Sequence, residues 1–128
     1  MTKKISNYQD YSNYLQSISF KAKIYRKFFY FPILYKYLKG KKLEVGCGTG
    51  GFLENFQDVI GIDINPNLVD ICKNKNLNAY LMDIDKINFR NNSFDSVLID
   101  NVIEHIENPQ KIIKEIFRVL RSSGVVVA

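Results

Sequence analysis

The chain has 128 residues, enough for one domain with a single hydrophobic core and too few for two. Its longest apolar run, residues 28–35, has eight residues, far below the roughly 20 that a membrane-spanning helix needs. The two cysteines lack metal-ligand spacing. We therefore expect a cytoplasmic protein with reduced thiols and neither a signal peptide nor a transmembrane segment.

The net charge of +5 is distributed unevenly along the chain. Residues 1–42 contain ten Lys and Arg residues and only one acidic residue. They also contain eleven of the chain's 17 Tyr and Phe residues. A basic, aromatic segment suits RNA or an anionic membrane surface, but aromatic side chains at helical spacing usually pack against a domain. We interpret residues 1–41 as a helical extension or cap, with at most weak membrane contact. Its packing residues are predicted to be Tyr25, Phe28, Phe29 and Leu34.

The extension is predicted to begin with a polar, loose segment over residues 1–11. Ser12 or Ser19 then caps helical segments that run to Phe31. Pro32 opens a further turn or helix, because proline is favoured at the first helical position. Gly40 is predicted to stop the last helix of the extension.

From Lys42 onward, strands alternate with helices, which is typical of a parallel sheet covered on both faces. The predicted strands are residues 42–46, 59–63, 78–82, 95–100 and 124–128. The predicted helices are residues 51–57, 66–75 and 109–121. In the last helix, an apolar stripe is expected to face the sheet. Its members are Ile112, Ile113, Ile116, Phe117 and Leu120.

The first predicted strand ends in a glycine-rich run, Leu43-Glu44-Val45-Gly46-Cys47-Gly48-Thr49-Gly50-Gly51. Glycine lacks a Cβ, so a backbone built from it can approach a ligand closely. Asp63 ends the second strand, where nucleotide-binding βαβ units hold a ribose. The glycine spacing alone fits both the dinucleotide pattern G-x-G-x-x-G and the pattern E-x-G-x-G-x-G.

The third and fourth strands distinguish these patterns. Tyr80-Leu81-Met82-Asp83-Ile84 ends in a second acid that a dinucleotide fold does not need, and the fourth strand, residues 94–101, is followed by Glu104-His105. With these segments, residues 43–128 resemble the class I S-adenosylmethionine-dependent methyltransferases, within their small-molecule, type 11-like group. The resemblance implies a three-layer α/β sandwich with a Rossmann-like parallel sheet in the order 3-2-1-4-5. It also implies S-adenosylmethionine as cofactor and S-adenosylhomocysteine as product.

The resemblance further implies contacts along the glycine run. The backbone there passes beneath the amino-acid and ribose parts of the cofactor, while Glu44 orients the loop or the cofactor's ammonium group. The run's implied cofactor-binding residues are Gly46, Cys47, Gly48 and Gly50, with Cys47 also read as a small filler. Asp63 is expected to accept hydrogen bonds from both ribose hydroxyls, and Ile64 to lie against the adenine.

The later strands supply the remaining implied contacts. Asp83 resembles the family acid that accepts from the adenine amino group, with the backbone N–H of Ile84 reaching a ring nitrogen. Asp85 is the alternative if the register differs by two residues. Asn101 is expected to contact the methionine part of the cofactor at the carboxyl edge of the sheet, and Asp100 is its alternative.

His105 is the only histidine in the sequence and the candidate general base. A structural or positioning role is the alternative, since methyl transfer often needs only alignment of the reactants. The segment is similar to the Glu-x-x-Glu-His metal site of small-RNA 2′-O-methyltransferases. Asn101 stands at its first position, however, so we expect no metal.

The last predicted strand ends with the chain at Ala128, so we expect a sheet truncated after strand five over residues 42–128. Its exposed edge is a place where a partner chain or a second copy can pair. We predict methyl transfer to a small-molecule acceptor, with the Tyr- and Phe-rich extension as the acceptor's wall. The alternatives are a noncatalytic or partner-completed S-adenosylmethionine-binding module, a NAD-dependent oxidoreductase and an RNA methyltransferase. We do not expect nucleic acid as a partner.

Overall fold

The computed structural model describes residues 7–100 and 102–128. Within them, five strands form one parallel sheet in the order β3-β2-β1-β4-β5, which confirms the predicted order. The strands are β1 (Lys42–Val45), β2 (Val59–Asp63), β3 (Ala79–Leu81), β4 (Phe94–Ile99) and β5 (Leu120–Val127). β1 lies at the centre of the sheet and is buried along its whole length, as expected for a parallel strand covered on both faces.

The helices follow the predicted alternation, with ends that differ by a few residues. The α-helices are α1 (Tyr8–Gln16), α2 (Phe20–Tyr25), α3 (Phe31–Lys36), α4 (Gly51–Asn55), α5 (Pro66–Asn74) and α6 (Gln110–Val119). A π-helical turn, Arg26–Tyr30, joins α2 to α3, and a 3-10 turn, Ile103–His105, follows β4. None of these helices is both long and apolar enough to span a membrane.

Each face of the sheet carries a hydrophobic cluster, which confirms the three-layer sandwich. On one face, alternate residues of the central strands pack against α6. That cluster includes Leu43, Val45, Val97, Ile99, Ile112, Ile116 and Val119. The other face is covered by α4, α5 and the end of the extension. Its cluster includes Leu38, Phe52, Leu53, Cys72 and Leu98.

The apolar stripe predicted for α6 is wrong at two of its positions. Ile112 and Ile116 are buried, but Ile113 is partly exposed and Phe117 is 64% exposed. α6 ends at Val119, which is buried, and β5 starts directly at Leu120. β5 begins four residues before the predicted start, because Leu120 pairs with Phe94 before a register irregularity. Pairing with β4 thus overrides the polar character of the intervening residues.

The extension is more ordered at its start than predicted. α1 begins at Tyr8, capped by Asn7, whose side chain accepts from the backbone N–H of Asp10 at 2.8 Å. Ser12 is not a cap: it is buried within α1 and donates to the carbonyl of Tyr8. Ser19 does cap α2, accepting from the N–H of Ala22. The predicted loose segment is therefore wrong for residues 8–11, and residues 1–6 lie outside the described residues.

Pro32 lies in the first turn of α3, as predicted, although no break separates α3 from the helical turns before it. The helical segment runs without a break from Phe20 to Lys36, and the turn before Pro32 is a π-turn in which Phe31 N–H donates to Arg26 C=O. A widened turn accommodates proline, which has no N–H and crowds the preceding turn. Gly40 follows the end of α3 by four residues and has a positive φ of 55°. A Cβ there would collide with the Asp95 carboxylate, so Gly40 turns the chain into β1.

The packing predicted for the extension is wrong for Tyr25, Phe28 and Phe29, which are all exposed. Leu34 does pack against the sheet-covering cluster, as do Phe31 and Tyr35. The Phe31 and Phe52 rings lie edge to face at 5.4 Å, and the Tyr35 and Phe56 rings are stacked at 3.9 Å. A single helical segment can turn only one side toward the domain, and the side it turns is that of Phe31, Leu34 and Tyr35.

Candidate functional site

The glycine run forms a loop that is bonded to the end of β2. The backbone N–H groups of Gly46 and Cys47 both donate to the carbonyl of Ile62, at 2.8 and 3.0 Å. The N–H of Gly48 donates to Asp63 Oδ2 at 3.0 Å. The predicted glycines and Asp63 therefore lie together at the carboxyl edge of the sheet, where open α/β sheets bind ligands.

Left-handed backbone explains why this loop needs glycine. Gly46, Gly48 and Gly50 have φ values of 78°, 58° and 88°, which side chains rarely tolerate. A Cβ at Gly46 would also collide with a methyl group of Val102. Above Gly48 the nearest atom to an added Cβ is Leu15 Cδ1 of α1, at 3.5 Å. The extension thus covers the loop.

The Asp63 carboxylate lies between the loop and α5 and is only 7% exposed. Its Oδ1 accepts from the N–H of Asn65 at 2.9 Å, while Oδ2 accepts from Gly48. Burial raises the pKa of Asp63, and the backbone N–H groups of Asn65 and Gly48 oppose this shift. Each carboxylate oxygen retains a lone pair for a further donor. Ile64 beside it is exposed.

Glu44 is buried in the middle of β1, and its Oε2 has no hydrogen-bond partner among the residues that the structure describes. Burial raises the pKa of Glu44 well above its usual value, and the charges of Asp100, Cys72 and Asp63 raise it further. An unpartnered buried carboxylate costs free energy. A cation beside Glu44 would stabilise its charged form.

The two cysteines pack behind the loop. Both are buried free thiols, and Cys72 Sγ donates to the carbonyl of Gly48 at 3.3 Å. Hydrogen bonding to Cys72 and burial raise the pKa of the Cys47 thiol. The N–H and C=O of Cys47 are both bonded within the protein, to Ile62 and Gly50. The Cys47 side chain therefore fills space behind the loop. Its contact with the cofactor stays a prediction.

Asp83 lies on the exposed surface just beyond β3. Its Oδ1 accepts from the N–H of Asp85 at 2.9 Å. The side chain of Ile84 is buried in the core, and the contact of its backbone N–H with the adenine stays a prediction. Asp83 also borders an open groove of about 710 Å³. The opposite wall of that groove is α6, where Arg118 is already bonded to Glu115.

The segment after β4 contains the remaining predicted residues. Asn101 lies outside the described residues. His105 is exposed in the 3-10 turn, and its backbone N–H donates to the carbonyl of Val102. Because Val102 contacts the position above Gly46, this turn begins beside the glycine loop. No group of three or more His, Cys, Asp or Glu side chains that could hold a metal occurs in the part of the chain that the structure describes.

The structure adds residues of the extension that the sequence did not identify. Tyr30 Oη donates to Asp100 Oδ1 at 2.9 Å. Burial raises the pKa of Tyr11, and the charges of Asp63 and Glu104 raise it further, whereas Arg26 lowers it. Tyr11, Arg26 and Tyr30 therefore lie close enough to these acidic residues to interact with them or with one another electrostatically. The only sequence signal for them was an extension rich in Tyr and basic residues.

Hydrogen bonds hold α1 in place above the site. The side-chain amide of Asn65 donates to the carbonyl of Tyr8 at 3.0 Å and to Ser12 Oγ at 3.3 Å. The side-chain oxygen of Asn65 also caps α5, accepting from Asn67 and Leu68 N–H groups. One residue thus joins the extension, the start of α5 and, through its own N–H, Asp63.

Comparisons with known proteins identify the family of this chain. Residues 43–128 match the family described as "Methyltransferase domain". An uncharacterized protein of Methanocaldococcus jannaschii is 36% identical over 89 residues, covering 70% of this chain and 43% of the relative. A ubiquinone biosynthesis O-methyltransferase of Coxiella burnetii is 31% identical over 110 residues, covering 73% of this chain and 47% of the relative. The chain thus spans less than half the length of these relatives.

The fold is shared with solved structures. A Thermotoga maritima protein described as an S-adenosylmethionine-dependent methyltransferase, possible histamine N-methyltransferase, superposes with a TM-score of 0.80. The superposition covers 94% of this chain and 60% of the other, at 19% sequence identity. This similarity bears on the fold alone.

Proposed function

Because this chain belongs to the class I S-adenosylmethionine-dependent methyltransferases, we propose that it transfers a methyl group from S-adenosylmethionine to a small-molecule acceptor. The name of the Coxiella burnetii relative, an O-methyltransferase of ubiquinone biosynthesis, supports an oxygen atom as the methylated position. When bound, S-adenosylmethionine supplies an electrophilic methyl group on a sulfonium, and S-adenosylhomocysteine is the product. The residues of this chain bind and orient the reactants.

The proposal is carried by the buried Oε2 of Glu44, which has no hydrogen-bond partner among the described residues. A carboxylate in this position is stable only with a cation nearby, and the amino-acid part of the cofactor has an ammonium group. The negative charges of Asp100 and Asp63 add to the attraction, since both act on Glu44 electrostatically. The glycine loop begins two residues after Glu44, and without side chains at Gly46, Gly48 and Gly50 its backbone can approach a ligand closely.

The carboxyl edge of the sheet has groups for the other parts of the cofactor. We assign Asp63 to the ribose hydroxyls, because its two oxygens are fixed by backbone N–H groups and each keeps a free lone pair. Ile64 would then cover the adenine, and Asp83 and the N–H of Ile84 would bind its polar edge. Asn101 remains the predicted contact for the methionine part.

Arg26 is our candidate for the cofactor's carboxylate. It is half-buried and acts electrostatically on both Tyr11 and Tyr30, which face the site. Among the residues that the structure describes, no acidic side chain forms an ion pair with Arg26. A guanidinium group binds a carboxylate through two parallel hydrogen bonds. The extension would thus contribute the cation that the negatively charged sheet edge lacks.

The acceptor would lie between the extension and the segment after β4. Tyr30 and Tyr11 would provide aromatic surface, and the exposed His105 would provide a polar group. For an acceptor hydroxyl, the imidazole of His105 would take the proton as the methyl group is transferred. A positioning role for His105 is the alternative, because the reaction requires chiefly alignment when the acceptor is a good nucleophile.

Isothermal titration calorimetry with S-adenosylhomocysteine tests this function. We expect the wild-type chain to bind it, and we expect Asp63→Asn to weaken binding at least tenfold because a carboxylate accepts more strongly than an amide. Asp70→Asn, at an exposed position on α5, is the matched control and should bind like wild type. NAD binding without S-adenosylhomocysteine binding would contradict the proposal and favour an oxidoreductase.

Pairing at the edge of β5 and a cytoplasmic location stay predictions. β5 lies at the edge of the sheet, with Val126 exposed. If a second copy or a partner chain pairs there, the mass of the protein in solution should exceed that of the monomer. A monomer that binds S-adenosylhomocysteine would show that the cofactor site is complete within one chain.

A further inference from the structure

The helical segment from α2 to α3 leaves a row of large apolar side chains in solvent. We call this set the aromatic face. Its members are Phe20, Ile24, Tyr25, Phe28, Phe29, Ile33 and Tyr37, each between 40% and 77% exposed. They recur every four residues in two series, one starting at Phe20 and one at Tyr25, so each series lies along one side of the segment. Apolar residues grouped in this way mark an interaction surface.

The opposite side of the same segment is fixed to the domain. Phe31 and Tyr35 pack on the rings of Phe52 and Phe56. Asn55 Nδ2 donates to the carbonyl of Lys27 at 2.7 Å, and Tyr30 donates to Asp100. The segment is therefore held at several points, and the aromatic face is presented outward from a fixed support.

The segment that carries the aromatic face is rich in basic residues and has no acidic residue of its own. Residues 20–42 contain eight Lys and Arg and no Asp or Glu. Lys21, Lys23, Lys27 and Lys36 are exposed on the same segment. We propose that the aromatic face docks on an anionic lipid bilayer. Its Phe and Ile side chains enter the boundary between headgroups and acyl chains, while the lysines bind the lipid phosphates.

Charge and composition favour a bilayer over other occupants. In a symmetric dimer through this face, the four exposed lysines of one copy would meet the same four of the other, which is repulsive. A single-stranded nucleic acid would stack on planar rings, but Ile24 and Ile33 interrupt the rings and offer only aliphatic surface. An interfacial helix uses both aliphatic and aromatic side chains, with lysines at its margins.

The aromatic face also adjoins the proposed acceptor site. An open cleft of about 220 Å³ is lined by Ala22, Tyr25, Arg26 and Tyr30. Tyr25 belongs to the aromatic face, whereas Tyr30 contacts Asp100. Docking on a bilayer would place this cleft at the membrane boundary, so the acceptor class would be amphipathic molecules that partition into lipid. This last step rests on the proposed function, but the docking itself does not.

Vesicle flotation tests the docking without cofactor. The wild-type chain should float with vesicles of phosphatidylcholine containing about one-third phosphatidylglycerol and not with pure phosphatidylcholine. Phe28→Ser with Phe29→Ser should lower the partition coefficient about tenfold or more. The matched control is Ile113→Ser with Phe117→Ser, which removes two exposed apolar side chains from α6 and should leave partitioning unchanged.

A second pair of variants tests the electrostatic part. Each lysine near an anionic surface is worth about fivefold in partition coefficient. Lys23→Gln with Lys27→Gln should therefore lower partitioning roughly twentyfold, whereas Lys111→Gln with Lys114→Gln, at exposed positions on α6, should not. Circular dichroism of each variant checks that it remains folded.

Several results would overturn the docking. They are absence of flotation, equal flotation with pure phosphatidylcholine, and equal losses in the α6 controls. Binding to polyuridine without binding to vesicles would assign the face to nucleic acid, and concentration-dependent dimers that the Phe28 and Phe29 changes dissociate would assign it to a second copy. Titration with S-adenosylhomocysteine is independent of all these readouts, so a failure of docking and a failure of the methyltransferase proposal can be told apart.

Discussion

The glycine loop and the N-terminal extension form two walls of the same site but are held in different ways. The loop is bonded through its own backbone to Ile62 and Asp63 on the adjacent strand. The extension is held by side chains, such as Tyr30 on Asp100 and Phe31 on Phe52. A wall held by backbone hydrogen bonds depends on the φ angles of its residues, so few substitutions are tolerated in the glycine loop. A wall made of side chains can change its contacts, and with them the acceptor, while the fold remains.

The largest effect is expected at the contact between the two regions. Phe52 is buried and its ring touches those of Phe31, Tyr35 and Phe56. Phe52→Ala should lower the free energy of unfolding by about 3–5 kcal/mol through lost contacts and a cavity. Phe117→Ala, at an exposed phenylalanine, should change it by less than about 0.5 kcal/mol. Urea denaturation measures both, and similar losses would mean that the extension does not pack on Phe52.

The next effect tests the backbone wall. Gly50 has φ of 88°, and a Cβ there would lie 2.5 Å from Leu77 Cδ1 and 2.9 Å from Cys72 Sγ. Gly50→Ala should cost roughly 2–4 kcal/mol from left-handed strain and overpacking.

Gly51 is the matched control for this change. It lies outside the left-handed region and an added Cβ would be 3.2 Å from Phe31 Cε2. Gly51→Ala should stay within about 1 kcal/mol of wild type, because alanine favours the helix and partly offsets the crowding. Thermal unfolding compares the two, and equal costs would contradict the role of backbone conformation in the loop.

The Glu44 carboxylate is expected to lower the stability of the protein at pH 7 and to strengthen ligand binding. The pKa of Glu44 is higher in the folded protein than in the unfolded chain. The contribution of Glu44 to the free energy of unfolding is therefore fully present below the unfolded pKa, near 4.3. It is lost as the pH rises from there toward the folded pKa. Glu44→Gln should therefore be more stable than wild type at pH 7, by about 1–2 kcal/mol, and the difference should shrink as pH falls to 4. The same variant should bind S-adenosylhomocysteine at least tenfold more weakly.

Unfolding curves across this pH range and calorimetry at pH 7 check both effects. A variant that is less stable than wild type at every pH would show that the Glu44 carboxylate has a partner in the folded protein. Unchanged ligand affinity would remove Glu44 from the proposed binding site.

The smallest effect concerns one hydrogen bond in the side-chain wall. Tyr30→Phe removes the 2.9 Å bond to Asp100 and should lower the free energy of unfolding by about 1 kcal/mol. Tyr37→Phe, at an exposed tyrosine, should have almost no effect. Chemical denaturation distinguishes them. If both changes are neutral, Tyr30 does not hold the extension to β4.

The accuracy of the sequence predictions differs between the two regions for a physical reason. β1 and β2 were predicted within one residue because apolar runs bounded by glycine or a carboxylate leave few alternatives. The start of β5 was missed because its first residues are polar and are held as a strand by pairing with β4. In α6, Phe117 was assigned to the core by spacing alone, although Val119 is the residue that is buried.

The extension shows more clearly what local sequence patterns could not predict. Its helical character was predictable, as was the cap at Ser19. The sequence did not predict which aromatic residues of the extension pack on the domain. Phe28 and Phe31 are chemically alike, and only Phe31 faces the domain. Tyr11, Arg26 and Tyr30 were not predicted at the site, because no local pattern distinguishes them from the other tyrosines and basic residues of the extension.

The order of the strands was implied by the resemblance to a known family. The local patterns of the sequence determined the alternation of strands and helices, the glycine loop and the position of Asp63 at the end of β2. These features follow from local rules, namely the φ angles open to glycine and the periodicity of apolar residues. Only the tertiary structure decided that Tyr30 meets Asp100, 70 residues away, and that the aromatic face stays exposed. It also decided that one oxygen of Glu44 has no hydrogen-bond partner within residues 7–100 and 102–128. Such contacts depend on how whole elements pack, and neighbours along the chain carry little information about that packing.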